Sequence, residues 1–277
     1  MIPAFQKDDA FLADVRAHAG NPGFRLWWLG QSGYLLQFAG EHALIDPYLS
    51  DSLTVKYATT DKPHVRMSER VVDPRKLGFV DVVSSSHNHT DHFDPDTLRE
   101  LPGVPVVVPA ANVDVSKQRL SAPSGQPLNI VGIDAGESAT FGGFTFHAVP
   151  AAHEKIDRDP RGRCFYLGYV ITFGDHAIYH SGDTVMYDGM VELLRKWKID
   201  VALLPINGNR PERRVAGNLW GREAAALGKA IGAKVVIPCH YDMFEFNTEP
   251  TDEFVATCEK IGQRYAILRG GERFDFI

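Results

Sequence analysis

The length, composition and charge of the chain exclude several classes of protein. Its 277 residues carry a formal net charge of -6, with a pI of about 6.0 and no basic run, which argues against a dedicated nucleic-acid surface. No apolar run approaches membrane-spanning length, and the N-terminus has no apolar signal segment. The three cysteines, Cys164, Cys239 and Cys258, show no C-x-x-C spacing and are too few for a disulfide framework. We therefore expect a soluble, cytoplasmic protein that forms one domain over residues 1–277, with neither nucleic acid nor membrane as a partner.

Hydrophobic periodicity predicts an α/β protein. An amphipathic helix is predicted over 8–19, where Phe11, Leu12 and Val15 share one face. Runs of β-branched and aromatic residues then predict a first group of strands at 24–29, 34–38, 43–45, 79–84, 104–108, 129–133 and 144–149. A second strand-rich half is predicted to begin near Phe165, with strands at 166–173, 177–180, 201–205, 235–238, 266–268 and 273–276. Helical patterns at 95–101, 189–197, 221–231 and 252–262 can cover the two halves, so the pattern predicts an αββα sandwich.

The densest chemical signal is an H-x-H-x-D-H run directly after the apolar stretch 79–83. It places His87, His89, Asp91 and His92 within six residues. Alternate residues of an extended loop point the same way, so His87 and His89 can share one cation while Asp91 and His92 turn towards another. A polar turn before a helix would explain Asp94, which precedes a proline as an N-cap does, but not the cluster.

Three further candidate ligands each follow a strand-like run elsewhere in the chain. They are His153, Asp183 and His240. Convergence of His and Asp side chains from separate segments is typical of a metal site. The remaining histidines are interpreted as ordinary satisfied or surface residues: His18, His42, His64, His147, His176 and His180.

Several segments resemble the metallo-β-lactamase-fold hydrolase superfamily, and within it the L-ascorbate-6-phosphate lactonase-like group. They are the H-x-H-x-D-H run together with residues 27–33, 179–183, 199–203 and 233–244. The resemblance covers nearly everything from about Phe24 onward. It implies the αββα fold of that superfamily, with the ligand loops along one edge of the sandwich.

The same resemblance implies a role for each ligand. His87, His89 and His153 would hold metal one, Asp91, His92 and His240 would hold metal two, and Asp183 would bridge them. Imidazole and carboxylate ligands suit Zn²⁺, Mn²⁺ or Fe²⁺, and we expect two divalent ions, zinc or manganese before iron. A hydroxide between the metals would be the nucleophile, and Asp91 would orient it or shuttle its proton as a catalytic residue.

Residues around the predicted ligands admit two interpretations each. Asp46 is either a turn residue before Pro47 or a carboxylate that accepts a hydrogen bond from a ligating histidine, and the resemblance favours the second. Cys239 would point away from His240 on an extended strand, so we expect it to pack rather than bind metal. Gly30 and Gly33 lack the spacing of a phosphate loop and predict a tight hairpin turn.

Substrate contacts are expected from the loop after strand 201–205. Asn207 and Arg210 are the candidate substrate-binding residues, with the arginine placed to clamp a phosphate, whereas Arg213 and Arg214 are interpreted as solvated. Residues 154–163 form either a lid or a simple connection.

The resulting hypothesis is a dinuclear metal-dependent hydrolase of a small, phosphorylated lactone or ester. The substrate would be a small and anionic molecule, and a homo-oligomer is left open. The alternatives are a metal-dependent phosphodiesterase, a di-iron redox protein on the same fold, or a non-catalytic metal-binding module. The complete ligand set, including Asp91, disfavours the last of these.

Overall fold

Two β-sheets packed face to face form the centre of the molecule. The structure is a computed structural model of the chain, and it describes residues 1–121 and 129–277. Within these ranges the strands are β1 (Phe24–Gly30), β2 (Gly33–Phe38), β3 (Glu41–Ile45), β4 (Val82–Ser84), β5 (Val106–Pro109), β6 (Ile130–Ile133), β7 (Ser138–Phe141), β8 (Phe144–Pro150), β9 (Leu167–Phe173), β10 (His176–His180), β11 (Val201–Pro205), β12 (Val235–Cys239) and β13 (Arg273–Phe276). The α-helices are α1 (Asp8–Ala17), α2 (Ser52–Tyr57), α3 (Pro95–Leu98), α4 (Val113–Leu120), α5 (Met190–Leu194), α6 (Gly221–Ile231) and α7 (Asp252–Ile261).

Both sheets join an antiparallel part to a parallel part. The first sheet has the order β13, β1, β2, β3, β4, β5, β6, and is parallel from β3 to β6. The second has the order β12, β11, β10, β9, β8, β7, and is parallel from β10 to β12. Because β8 and β10 are both antiparallel to β9, the carboxyl ends of β8, β10 and β12 lie at one edge of the second sheet.

Alternation along β1 shows how one strand serves two layers of core. Leu26 and Trp28 belong to the cluster that packs against the second sheet, whereas Trp27 and Leu29 belong to a cluster on the outer face. Helix α1 covers that outer face with Phe11, whose ring meets Trp27 edge to face at a centroid distance of 6.3 Å. Residues two apart on a strand share a face, so consecutive apolar residues fill both layers.

Helix α6 covers the outer face of the second sheet. Its buried side chains, including Ala224 and Leu227, join the large core cluster, and its amphipathic pattern predicts this orientation. Gly228 permits the close approach, since a Cβ atom there would lie 2.1 Å from a methyl group of Val236 on β12. The helices α5 and α7 pack on α6. The predicted α/β fold with its αββα layers is therefore confirmed.

The division of strands between the two sheets differs from the expected one. Strand β8 was predicted with the first half, but it pairs with β9 in the second sheet. Strand β13 was predicted with the second half, but it pairs with β1 in the first sheet, where Phe276 stacks on Phe24 at 4.9 Å. Strand pairing is set by long-range contacts that periodicity within a segment does not reveal.

Other differences concern short elements. The prediction of a strand over 266–268 is wrong, since this stretch only follows an isolated bridge between Tyr265 and Val236. Strand β7 and the helices α2 and α4 were not predicted. Asp94 does cap α3 by accepting from the amide of Asp96, with Pro95 as the first helical residue, as predicted. Among the described residues, no helix combines the length and apolar character needed to cross a membrane.

Candidate metal centre

The loop between β4 and α3 carries the first four candidate ligands, and two buried contacts fix its shape. Beneath it, Asp46 accepts hydrogen bonds from the amide of Ser86 at 2.7 Å and from the Ser86 hydroxyl at 2.5 Å. At its outer side, Arg119 donates to the carbonyl of Asn88 and, at 2.8 Å, to Thr90 Oγ1. Held from both sides, the loop directs its imidazoles towards the second sheet.

The structure brings six of the seven predicted ligands together as two triads, with Asp183 next to both. Triad one comprises His87, His89 and His153, and triad two comprises Asp91, His92 and His240. Within each triad the ligand atoms lie within 4.8 Å of one another. In triad two, Asp91 Oδ2 lies 3.5 Å from His92 Nε2 and 3.6 Å from His240 Nε2.

Asp183 lies between the triads. One carboxylate oxygen is 3.3 Å from His92 Nε2, and the other is 3.4 Å from His240 Nε2 and 4.0 Å from His153 Nε2. The side chain is almost completely buried and follows the carboxyl end of β10. A single carboxylate therefore reaches ligands of both triads.

The chemistry of the donor atoms fits divalent cations. His87 Nε2, His92 Nε2 and Asp183 Oδ1 are buried without a hydrogen-bond partner among the described residues. An unsatisfied buried polar group costs about 1–3 kcal/mol, so three of them facing one another favour a bound cation that satisfies all three. Imidazole nitrogens with carboxylate oxygens are the ligands that zinc, manganese and iron share.

Asp46 orients one of the metal-facing histidines. Its Oδ2 atom lies 2.7 Å from His92 Nδ1, and both side chains are fully buried. An Nδ1–H donated to this carboxylate keeps Nε2 facing Asp91 and Asp183, where it can bind a cation once it has lost its proton. The backbone of Asp46 is left-handed, with φ of 41°, so strain at this position accompanies a functional contact.

Gln31 lies next to triad two although it was not among the predicted site residues; its only sequence signal is its place in the 27–33 segment that carries the family resemblance. It lies at the tip of the hairpin between β1 and β2, which is the tight turn predicted at Gly30 and Gly33. Its Nε2 atom is 2.8 Å from Asp91 Oδ2 and 3.0 Å from His240 Nε2. The backbone carbonyl of Gln31 accepts a hydrogen bond from the backbone amide of His240 at 2.9 Å. This contact supports the left-handed backbone of His240, which has a φ of 62°. The hairpin tip thus braces two members of triad two.

Electrostatics separate the two triads. In triad one, burial lowers the pKa of His87 well below its usual value and the pKa of His153 to about 4. In triad two, burial opposes the charged form of His240, but Asp183 and Asp91 outweigh it and raise its pKa to about 9. Burial likewise opposes ionisation of Asp91, yet the neighbouring His92 and His240 hold its pKa below the usual range. Triad one is neutral at pH 7, whereas triad two is an ionic network.

A cavity of about 650 Å³ opens onto the centre. Four acidic side chains and four cationic ones line it: Asp91, Glu154, Asp157, Asp183, Lys56, Lys62, Arg119 and Lys155. Their formal charges cancel, so two divalent cations would make the cavity positive and favourable to an anion. Residues 154–163, interpreted as a lid or a connection, contribute three of these side chains to its wall.

The predicted substrate contacts lie outside the lining of this cavity. Arg210 forms a two-pronged ion pair with Glu249, with its Nη2 atom 3.0 Å from Oε2, and covers the ring of Trp220. Asn207 is buried, and its amide donates to Asn247 at 3.1 Å. Arg213 also binds Glu249. These contacts fasten the loop after β11 to the segment after β12.

Arg214 and Cys239 agree with the sequence-based interpretations, whereas His64 has an unexpected position. Arg214 is exposed and pairs with Asp61 at 2.6 Å, as a solvated residue does. His64, interpreted as an ordinary polar residue, donates from Nδ1 to the Lys62 carbonyl oxygen at 2.9 Å and lines the cavity. Cys239 is buried in the large core cluster, which agrees with a packing role. The sequence around His64 does not predict that this residue lines the cavity.

The sequence and the fold of this chain are similar to those of known proteins. Residues 42–241, which contain β4 to β12, most of β3 and all seven candidate ligands, match the model of the beta-lactamase superfamily domain. The chain belongs to the beta-lactamase superfamily. Among curated members of similar sequence, a UPF0173 metal-dependent hydrolase from Methanoculleus marisnigri is 29% identical over 257 residues, covering 91% of this chain and 96% of that protein.

Two solved structures share the fold of this chain. Igni18, a metallo hydrolase from Ignicoccus hospitalis, is 23% identical, with a TM-score of 0.66 over 92% of this chain and 99% of its own. A possible metal-dependent hydrolase from Veillonella parvula is 17% identical, with a TM-score of 0.73 over 92% of this chain and 100% of its own. These structures show the fold, and the domain match over residues 42–241 shows superfamily membership; the closer resemblance to the lactonase-like group stays a prediction.

Proposed function

We propose that this superfamily member is a dinuclear metal-dependent hydrolase of a small anionic lactone or ester. The observation that carries the proposal is the position of Asp183, whose carboxylate lies within 3.3–4.0 Å of ligands from both triads. Seven protein ligands exceed what one tetrahedral ion accepts, but two ions that share Asp183 use all of them. The curated relatives bear the name metal-dependent hydrolase, which supports the same reaction class.

Each side chain at the centre has a distinct part in this reaction. When bound, the two cations supply Lewis acidity, which acidifies water and polarises a carbonyl or phosphoryl oxygen. Asp46 holds the His92 ring with Nε2 facing the centre, and Gln31 holds the Asp91 carboxylate. Asp91, which stays ionised, can accept a proton from the attacking water and return it to the leaving oxygen.

Tyr166 adds a donor beside triad one. Its ring lies 5.1 Å from that of His153 and 5.2 Å from that of His87, and it lines the cavity. Burial, aided by the carboxylates of Asp157 and Asp183, raises the pKa of Tyr166 above its usual value. The phenol therefore stays protonated at neutral pH and can donate to a substrate oxygen that gains charge.

Metal analysis with two histidine variants tests the proposal. Wild-type protein, stripped and reconstituted with Zn²⁺ or Mn²⁺, should saturate at two ions per chain, and His240→Ala should saturate at one. His147→Ala is the matched control, since His147 lies on β8 with its Nε2 atom 3.1 Å from Thr172 Oγ1, away from the cavity lining. Saturation of the wild type at one ion, unchanged in His240→Ala, would reject the dinuclear assignment.

A substrate panel then separates the reaction classes. Reconstituted protein should hydrolyse lactones and carboxylic esters faster than phosphodiesters, with anionic substrates preferred over neutral ones of equal size. Faster turnover of phosphodiesters would support the phosphodiesterase alternative. Two bound ions without turnover of either class would favour a non-hydrolytic role such as di-iron redox chemistry or a metal-binding module.

A further inference from the structure

Four aromatic side chains form a continuous surface in the cavity, which we call the aromatic wall. They are Tyr57, His64, Phe244 and Phe246. The His64 ring stacks on Tyr57 at a centroid distance of 4.3 Å and meets Phe244 and Phe246 edge to face at 5.1 and 4.6 Å. These spacings are those of favourable aromatic pairs, so the four rings behave as one packed unit.

The wall is rigidly supported from behind. Phe244 is buried in a small apolar cluster with Tyr48, Leu53 and Met243, separate from the two main cores. The two segments that carry the wall are tied by backbone hydrogen bonds, from Met67 to the carbonyl of Met243 at 2.8 Å and from residue 245 to the carbonyl of residue 65 at 3.2 Å. A surface already ordered before ligand binding costs little entropy to engage a ligand.

The wall and the metal centre belong to the same cavity. His240, a member of triad two, is only four residues from Phe244, and both line it together with His89 and Asp91. The volume of about 650 Å³ lies within the roughly 300–1,000 Å³ range of ligand sites. A molecule whose reactive group reaches the metal ligands therefore has the wall as its neighbour.

Positive charge borders the wall. Lys56 lies over the Tyr57 ring, with Nζ 4.9 Å from the centroid, and Lys62 lines the cavity next to His64. Burial lowers the pKa of His64, so its ring is neutral at pH 7 and serves as a flat stacking surface. Apolar faces beside lysine ammonium groups complement a flat apolar ligand that bears a negative charge.

We infer that the aromatic wall binds an aromatic ring of the substrate, which carries an anionic substituent directed at Lys56 and Lys62. The inference rests on the proposed function and specifies its substrate class as aryl-bearing, anionic esters or lactones. None of the ring contacts of the wall involves a candidate metal ligand. Loss of the wall should therefore change substrate preference and leave metal binding intact.

Binding of non-hydrolysable acids tests the wall without relying on turnover. Calorimetric titration of zinc-loaded protein would use benzoate, phenylacetate and 3-phenylpropionate, each against its cyclohexyl counterpart of equal charge and similar size. Wild type should bind at least one aromatic acid about 2- to 12-fold more tightly than its cyclohexyl partner, the range that aromatic pairing supplies. Equal affinities at all three chain lengths would overturn the inference.

Variants of the wall locate that preference. Phe246→Ala and His64→Leu should remove the aromatic preference, whereas Phe246→Tyr should keep it. Phe5→Ala is the control, because Phe5 is an exposed aromatic ring covered by Arg269 outside the cavity lining. Circular dichroism and zinc content would show that each variant is folded and loaded. An unchanged preference in both Phe246→Ala and His64→Leu would remove the wall from the site.

A second pair of probes tests the anionic substituent. The 4-carboxy derivative of phenylacetate should bind more tightly than phenylacetate, and the Lys56→Ala/Lys62→Ala double variant should abolish the gain. Lys76→Ala, in which the lost lysine pairs with Asp9 on the surface, should not. A gain that persists in the double variant would refute the charge assignment.

Hydrolysis of methyl acetate and γ-butyrolactone keeps this inference distinct from the proposed function. If zinc-loaded protein hydrolyses either one but shows no aromatic preference, the inference fails and the hydrolase proposal stands. If the acids bind with the expected wall dependence but no ester or lactone in the panel is hydrolysed, the hydrolase proposal fails and the wall stands as a binding site.

Discussion

The two triads have similar ligand atoms but opposite electrostatic character. Triad one consists of imidazoles whose charged forms are disfavoured by burial, as the lowered pKa values of His87 and His153 show. Triad two contains a carboxylate, faces Asp183, and holds histidines with raised pKa values, including His240 at about 9. It also has dedicated supports in Asp46 and Gln31.

The difference teaches that one edge of a sandwich can offer two unlike sites for the same ion. Triad one has its lone pairs free at neutral pH, so a cation binds without displacing protons. Triad two must lose protons from its histidines before they can coordinate, although its negative charge attracts the cation. We expect the first ion to enter triad one and the second to depend on pH and on the supports of triad two.

The largest effect is expected where the triads join. Asp183→Asn replaces a carboxylate that reaches both triads with a neutral amide that bridges cations poorly, so turnover should fall by several orders of magnitude while the fold survives. Elemental analysis should show loss of the ion at triad two. Turnover near wild type with both ions retained would rule out the bridging position.

The second largest effect on metal binding is expected at Asp46, which supports His92 of triad two. Asp46→Asn removes the charge that holds His92 Nδ1–H, and such outer partners typically contribute about 10–100-fold in metal affinity. The second ion should weaken more than the first, because Asp46 contacts His92 directly but reaches His87 only through Ser86. A cobalt titration followed by visible absorption would compare the two ions. Equal weakening of both ions would erase the distinction between the triads.

Proton release should distinguish the triads directly. The raised pKa of His240 means that this histidine is protonated below about pH 9 in chelator-treated protein. Its pairing with Asp183 and Asp91 stabilises the folded state fully below the ordinary histidine pKa, and this stabilisation is lost as the pH rises through about 9. Affinity for the second ion should therefore rise with pH, by about tenfold per unit for each proton released, up to about pH 9. Calorimetry in buffers of different ionisation enthalpy would count the protons, with none expected for the first ion.

Gln31 should have a smaller effect than Asp46. Gln31→Ala removes a hydrogen bond that a neutral amide donates to the Asp91 carboxylate, whereas Asp46→Asn removes a buried negative charge beside His92. The second ion should weaken by a factor of up to about ten, with kcat lowered more than KM is raised, since Asp91 would lose its orientation. Gln31→Glu, which adds charge beside Asp91, provides the contrast. An unchanged second-ion affinity in Gln31→Ala would make the hairpin tip irrelevant to triad two.

Arg210 should show the smallest effect. Its guanidinium is committed to Glu249 and lies outside the cavity lining, so Arg210→Ala should leave turnover of phosphorylated and unphosphorylated lactones nearly unchanged. A large loss confined to the phosphorylated lactone would support the sequence-based interpretation that this arginine clamps a phosphate. Arg214→Ala, at another exposed ion pair of the same loop, is the control.

The clustering of the seven candidate ligands could be predicted from sequence because its chemistry is local. Four ligands stand within six residues, and the other three follow β-strands whose apolar runs are easy to recognise. Gln31 could not be predicted in the same way, since its contact with Asp91 spans sixty positions and a glutamine at a hairpin tip is ordinary in composition. The aromatic wall escaped prediction because Tyr57 and His64 meet Phe244 only through tertiary packing.

The same reasoning explains the errors in strand grouping. Most strands were recognisable from their own residues, but β13 pairs with β1, which lies nearly 250 positions away in the sequence. Short elements such as β7 have alternately exposed residues and little apolar signal. Local chemistry and periodicity are therefore readable from sequence, whereas pairing and cavity shape depend on the folded chain.

The ligands come from both sheets, since the His87–His92 loop follows β4 whereas His153, Asp183 and His240 follow β8, β10 and β12. A bound pair of ions would cross-link the two layers of the sandwich at one edge, much as a disulfide joins distant segments. Thermal stability should then depend on free metal concentration, because ions that bind only the folded state shift the unfolding equilibrium by mass action. In such a protein the catalytic centre is also a structural fastener, and scarcity of metal would cost the cell folded protein as well as activity.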